Sequence, residues 1–225
     1  MNNCFEHNTT YFLQEGKANL RECLRLSFEA AAKHDISKIV IFTGAGEGVK
    51  IAYNDFISQE QYSHIQIVAA TFPQGHPHAH LFLTDDQDWM DQRKIPLIRA
   101  HLPFDPIRTQ YGQGLLGQDF SLLGNVLSIF GGSMSLAVQA VLMASDAGAV
   151  RNGEHVIALT SDTSIMVRSA PTSHLLTEFI VRAVFCKAAF LDVSKKEELP
   201  ASDKAEAPKL IEGEVSTSET ITKSL

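Results

Sequence analysis

The chain has 225 residues, 44% hydrophobic and 20% charged, a composition that excludes wholesale disorder and fibrous repeats and fits one α/β domain. Nineteen Lys and Arg against 26 Asp and Glu give a formal net charge of -7, and no basic run follows a phosphate backbone, so nucleic acid is not an expected partner. Met1–Thr10 lacks the basic start and apolar centre of a signal peptide, and no apolar run is long enough to span a bilayer; the expected location is the cytoplasm, with no membrane partner.

In chain order, Leu20, Leu24, Phe28 and Ala31 recur at helical spacing between Asn19 and His34, with Asn19 as expected N-cap and Glu22 three residues on. Lys38 to Thr43 is a β-branched run of the kind buried on both faces of a sheet. A glycine-rich turn follows it. Glu47 to Ile57 reads as the next helix and Ile65 to Thr71 as a second core strand. A helix between two strands implies a parallel, right-handed crossover.

Asp85 to Arg93 is expected to be a short acidic helix and Ile95 to Leu102 a third strand, late-starting or at an edge because of Pro96. Phe120 to Phe130 is apolar at helical spacing, Gly131 and Gly132 break it, and Ser133 opens a longer buried helix that Gly148 ends. Glu154 to Leu159 and Ser164 to Ser169 read as strands around a polar turn, and Leu176 to Phe190 fits helix or strand. Residues 192–225 carry eight acids and five lysines and no aromatic residue, so a disordered tail is expected there. Cys4, Cys23 and Cys186 form no CxxC arrangement; Cys186 reads as a small buried hydrophobe and Cys23 as a helix-face residue.

Three blocks carry a resemblance. They are Asn19 to Gly48; Phe130-Gly131-Gly132 with Val141 to Gly148, ending Ala-Ser-Asp-Ala-Gly; and Asn152-Gly153-Glu154-His155-Val156-Ile157-Ala158. These segments resemble a family of small stand-alone proteins related to the C-terminal domain of pyruvate kinase. The resemblance implies a single three-layer α/β domain over residues 11–191, after an extension at 1–10 and before the tail at 192–225. It implies a mixed, mainly parallel sheet of about five strands with helices on both faces. It further implies flavin mononucleotide (FMN) as ligand and homo-oligomers as an expected assembly. The catalytic barrel of pyruvate kinase has no room in this chain, so kinase activity is not expected. The chain departs from the family at Thr160-Ser161-Asp162-Thr163 and at Phe72-Pro73-Gln74-Gly75-His76, where relatives have a glycine-rich turn and a paired-histidine loop.

Thr43-Gly44-Ala45-Gly46-Glu47-Gly48 leaves a strand and enters a helix, an arrangement in which backbone N–H groups converge on an anion. It is neither a Walker A sequence nor a full GxGxxG fingerprint, which argues against nucleoside triphosphate chemistry. A carboxylate at Glu47 repels phosphate unless it faces away. Gly75-His76-Pro77-His78-Ala79-His80 would place alternate histidines on one side of an extended segment, but no carboxylate or thiolate completes a metal site, and no metal is expected.

Gly132 and Ser133 begin a helix and offer a second anion position. On the proposed fold Thr71, Gly75, His76, His101, Thr160, Ser161 and Thr163 share the carboxyl edge of the sheet with the Thr43–Gly48 turn, where open α/β sheets bind ligands. No nucleophile arrangement or catalytic residue is evident. The functional expectation is binding of a phosphorylated small molecule. The alternatives are a flavin-dependent oxidoreductase, or a ligand-free interaction module assembling through the apolar helix Leu136 to Ala147 or the tail.

Overall fold

A computed structural model describes residues 7–105 and 115–189 of the chain. The expected tail at 192–225 therefore lies outside the described residues, as does the start of the expected extension.

Helix α1, Leu20–Lys33, buries Leu20, Cys23, Leu24, Ser27, Phe28, Ala30 and Ala31. These positions fall on one helical stripe. Asn19 does not cap it through its side chain: the residue already has helical dihedrals, and its amide donates to the Gln14 carbonyl instead. Glu22, the other half of the expected capping box, pairs with Arg25.

Strand β2, Lys38–Phe42, has four consecutive buried residues, as an inner parallel strand must when both its faces are covered. The next helix, α2, Glu47–Ile51, continues into a π-helical stretch, Ala52–Ile57. There Phe56 stacks on Phe28 at 4.8 Å and Tyr53 meets Trp89 edge-on. Strand β3 is Gln66–Thr71, α3 is Thr84–Gln92 and β4 is Leu97–Arg99. The described chain resumes with α4, Leu115–Ser128, and α5, Met134–Asp146, which Gly148 ends with φ of 73°. Ser133 precedes α5 without a side-chain cap bond. Strands β5, His155–Leu159, and β6, Ser164–Arg168, are followed by the short α6, Leu175–Glu178, and by β7, Ile180–Ala188.

The sheet has seven strands in the order β1-β7-β6-β5-β2-β3-β4, where β1 is Thr10–Phe12. This corrects the expected five. The three-residue β1 is too short to carry an alternation signal, and β7 lies in the segment whose periodicity fits helix and strand alike. All neighbours pair parallel except β6, which runs against both β5 and β7.

Alternation along the strands divides the core. Ile39, Ile41, Ile67, Ala69, Ile157 and Leu159 pack with α1, Val49 and Ala52, and with Met90 of α3. Val40, Phe42, Val68, Ala70, Val156 and Ala158 face α5, on which Leu123 and Leu127 of α4 also pack. The result is three layers, each fully buried Leu, Ile or Phe contributing roughly 1.5–3 kcal/mol. Helix α5, with Ala140, Val141, Leu142 and Ala144 at 0% exposure, is covered by this packing, so the apolar helix considered as an assembly surface lies in the core.

Candidate functional site

Because β2, β3, β4 and β5 run parallel, their carboxyl ends share one edge of the sheet. The reversed β6 adds its amino end to that edge through the turn after β5. The Ser133 N–H donates to Asp162 and Thr163, which brings the start of α5 to the same turn. The edge has two parts, one around β2–β3–β4 and one around the β5–β6 turn.

In the first part the Thr43 N–H donates to the Ala70 carbonyl at 2.9 Å, extending the β2–β3 ladder into a buried threonine. Beyond it the N–H groups of Gly44, Ala45, Gly46, Glu47 and Gly48 have no acceptor among the described residues. Gly46 has φ of 74°, a left-handed conformation that turns successive N–H groups to a common side. A Cβ at Gly46 would lie 3.2 Å from the Asp86 side chain, and one at Gly48 would meet Leu20 and Ile41 at 3.5 Å.

Asp86, 6% exposed, forms an ion pair with Lys50 and accepts from the Leu83 N–H at 3.2 Å. Its charge is thus answered within the protein. Glu47 pairs with Lys17 at 3.5 Å in an exposed position.

Thr71 and Arg99, the last residues of β3 and β4, are Cα partners across the ladder. Both follow by two residues a side chain packed in the α1-side core, Ala69 and Leu97, and so share its face. Thr71 is 1% exposed and its Oγ1 has no hydrogen-bond partner among the described residues; the buried Nε of Arg99 has none there either. The Arg99 guanidinium lies 5.0 Å from the Phe82 ring.

On the other sheet face Phe72 covers Gly44, its ring 3.7 Å from where a Cβ would stand, and packs edge-on against Phe42. His76 stacks on Phe72 at 4.2 Å. Desolvation, with a contribution from nearby His78, holds the His76 imidazole below its ordinary pKa.

The histidine segment is not extended as expected. The His76 N–H bonds back to Pro73, the His78 N–H to His76 Nδ1, and residues Ala79–Leu81 form a 3-10 turn. Two prolines and a glycine in six residues, Pro73 to His78, favour such turns over a strand. Gly75 lies exposed at the tip, and His101 is exposed, its Nε2 3.1 Å from the Asp105 carbonyl. Among the described residues no group of three His, Cys, Asp or Glu side chains is placed to hold a metal ion.

In the second part Asp162, 1% exposed, sits at the amino end of α5. Its carboxylate accepts from the Ser133 N–H at 3.1 Å, Thr163 Oγ1 at 3.0 Å, Thr160 Oγ1 at 3.4 Å and the Gly16 N–H at 2.9 Å. This side chain supplies the negative charge that the helix dipole favours there. Gly132 packs against the same turn so closely that a Cβ would stand 2.4 Å from Thr163 Oγ1. Gly132, Ser133, Thr160 and Thr163 are therefore engaged with one another and with Asp162, and Ser161 is half-buried at the turn's tip.

Arg99, Asp86 and Lys50 stand outside the residues that the sequence motifs single out. Arg99 was detectable, since a charged residue two positions after Leu97 falls on the core-facing side of a strand end. The Lys50–Asp86 pair spans 36 residues and has no local signal. Nor does the contact of Cys23 with Cys186, whose buried sulfurs lie 3.4 Å apart.

No protein-family model matches the sequence, and no curated protein matches it. Among solved structures the chain is similar to pyruvate kinase of Cryptosporidium parvum, with 14% identity and a TM-score of 0.33 over 70% of this chain and 24% of that one. Among the described residues no helix is long and apolar enough to cross a membrane.

Proposed function

We propose that the chain binds a phosphorylated small molecule at the β2–β3–β4 part of the edge, without kinase activity, and that FMN is the ligand to test first. The observation that carries this reading is the run of N–H groups from Gly44 to Gly48, which have no acceptor among the described residues and follow the end of an inner parallel strand. Phosphate oxygens accept from such a cradle, and the left-handed glycine at its centre lets them approach the backbone. The local carboxylates do not oppose an anion, because Lys50 and Lys17 answer them.

The same donors fit the phosphate of a flavin nucleotide: the N–H groups of Gly44, Ala45, Gly46 and Gly48, with the side chain of Thr43 beside them, would hold that end. The bound ring would supply any redox chemistry, and the protein would position it and exclude water.

Visible absorption of the purified chain, followed through a titration with FMN and separately with riboflavin, tests the reading. Saturable binding of FMN, weak or absent for riboflavin and lost in Gly46→Asp, is the expected result. No binding of FMN would remove the flavin assignment.

Assembly of copies is a second reading, favoured by a cluster of exposed apolar side chains. Tyr11 is 49% exposed, Leu13 61% and Phe130 51%, and Lys187 touches both Tyr11 and the Phe130 carbonyl. Sedimentation of the full chain against concentration decides it, with a single monomer species sinking the idea.

A further inference from the structure

We infer that Arg99 and Thr71 form an oxyanion subsite that supplies the counter-charge for the ligand; this rests on the phosphorylated-ligand reading and extends it to residues outside the glycine turn. Two neighbouring strand ends each present a buried polar atom with no partner, Thr71 Oγ1 and Arg99 Nε. Leaving a buried donor without a partner is unfavourable, more so for a charged group, so two such atoms on adjacent strands are unfavourable unless a ligand completes them.

Their positions are linked by the ladder. Thr71 and Arg99 are Cα partners on adjacent parallel strands, which run about 4.8 Å apart, and both side chains leave the sheet on the α1 side. That side also carries the glycine turn's own neighbours. Phe82, under the Arg99 guanidinium, is followed four residues later by Asp86, which packs on Gly46 and pairs with Lys50. One short segment therefore connects the arginine to the N–H cradle.

The charges assign the role. Lys50 is committed to Asp86 and Lys17 to Glu47, whereas Arg99 has no ion pair among the described residues. Among the described residues of this part of the edge, Arg99 is thus a cation left without an ion pair. A guanidinium fork with a neighbouring hydroxyl matches the oxygens of a phosphate monoester, which it can bind through two parallel N–H bonds. Among the described residues one unpaired cation faces this edge, which suits a single phosphoryl group better than a pyrophosphate chain.

The test is an arginine Nε–H spectrum of the full chain under titration with inorganic phosphate and, separately, with FMN. The expected result is a saturable shift of one resonance, assigned to Arg99 by its disappearance in Arg99→Gln. FMN affinity should fall about 10- to 100-fold in Arg99→Gln, as expected for loss of a charge-assisted contact, with Arg99→Lys between the two. Thr71→Val should bind phosphate more weakly while unfolding at an unchanged or higher temperature, which a merely structural hydroxyl would not allow.

If FMN binds while the Arg99 signal stays still and Arg99→Gln keeps full affinity, the subsite is wrong and the glycine-turn reading survives. If phosphate moves the Arg99 signal but FMN does not bind, the subsite stands and the flavin assignment falls. A signal that neither ligand moves, with no FMN binding, overturns both. Should Arg99→Gln fail to fold, Arg99→Lys assigns the resonance and Thr71→Val still decides.

Discussion

At the β5–β6 turn four donors converge on the Asp162 carboxylate, two of them backbone N–H groups, whereas at the β2 turn five consecutive N–H groups face no acceptor among the described residues. Both turns sit on the same sheet edge and each involves a left-handed glycine, Gly46 at 74° within the β2 turn and Gly132 at 60° before α5, packed against the β5–β6 turn. The difference lies in whether the chain itself meets the donors. The β5–β6 turn holds the Asp162 carboxylate that meets its donors, and Gly132 is packed tightly against its Thr163. At the β2 turn the carboxylates of Asp86 and Glu47 are paired with Lys50 and Lys17, and the N–H groups meet no acceptor among the described residues. Two turns at one sheet edge thus differ in whether their neighbouring N–H groups are met within the described chain.

The comparison makes predictions of graded size. Replacing the buried carboxylate in Asp162→Ala strips four donors of their acceptor and should cost about 3–5 kcal/mol in urea unfolding, with Asp162→Asn milder because it keeps one oxygen. A loss below about 1 kcal/mol would show that the turn is not held by this charge.

The glycines should then separate. Gly132→Ala forces a Cβ against Thr163 in a left-handed conformation and should cost about 3 kcal/mol. Gly46→Ala, at the same kind of φ but 3.2 Å from Asp86, should cost about 1–2 kcal/mol, and Gly44→Ala, with 3.7 Å to Phe72 and no positive φ, only about 0.5 kcal/mol or less. If all three behave alike, the two turns are equally rigid and the contrast fails.

The smallest effect belongs to His76. Its folded pKa lies below the ordinary 6.5, chiefly by desolvation, so the folded state disfavours the charged imidazole. The stability it contributes is present above pH 6.5 and lost as pH falls through the lowered folded value. His34 is also shifted down, mainly by desolvation, so the difference between wild type and His76→Gln isolates the contribution. Thermal unfolding at pH 7.5 and 5.5 should show a slightly smaller pH loss in the variant. Equal losses would place His76 in water rather than on Phe72.

Much of the architecture was legible because buried parallel strands leave uninterrupted apolar runs: Ile39 to Phe42 and Ile67 to Ala70 read directly. Helices α1 and α5 were visible from their apolar spacing and from Gly148. The edge strand β1 was not, since three residues carry no period, and β7 hid in a run whose apolar residues suit either periodicity. For the site, local pattern located both turns but could not tell them apart. Asp162 appears in sequence as an ordinary turn aspartate, and its role emerges only when the starts of two distant segments, Gly16 and Ser133, arrive beside it. Arg99 and Thr71 become a pair only through strand register, which sequence does not print.

The sheet order also bears on how the molecule assembles in time. Strand β1 comes first along the described chain, yet its ladder partner is β7, the last strand, with Thr10 opposite Cys186. During synthesis the amino-terminal strand must wait, unpaired, until the far end of the domain is made, while β2, β3 and β4 can already associate. Closure of that edge is a late, long-range event of the kind that slows folding. Ribosome-bound chains halted before β7 should therefore expose Tyr11 and Phe12 to proteolysis while β2 and β3 are already protected.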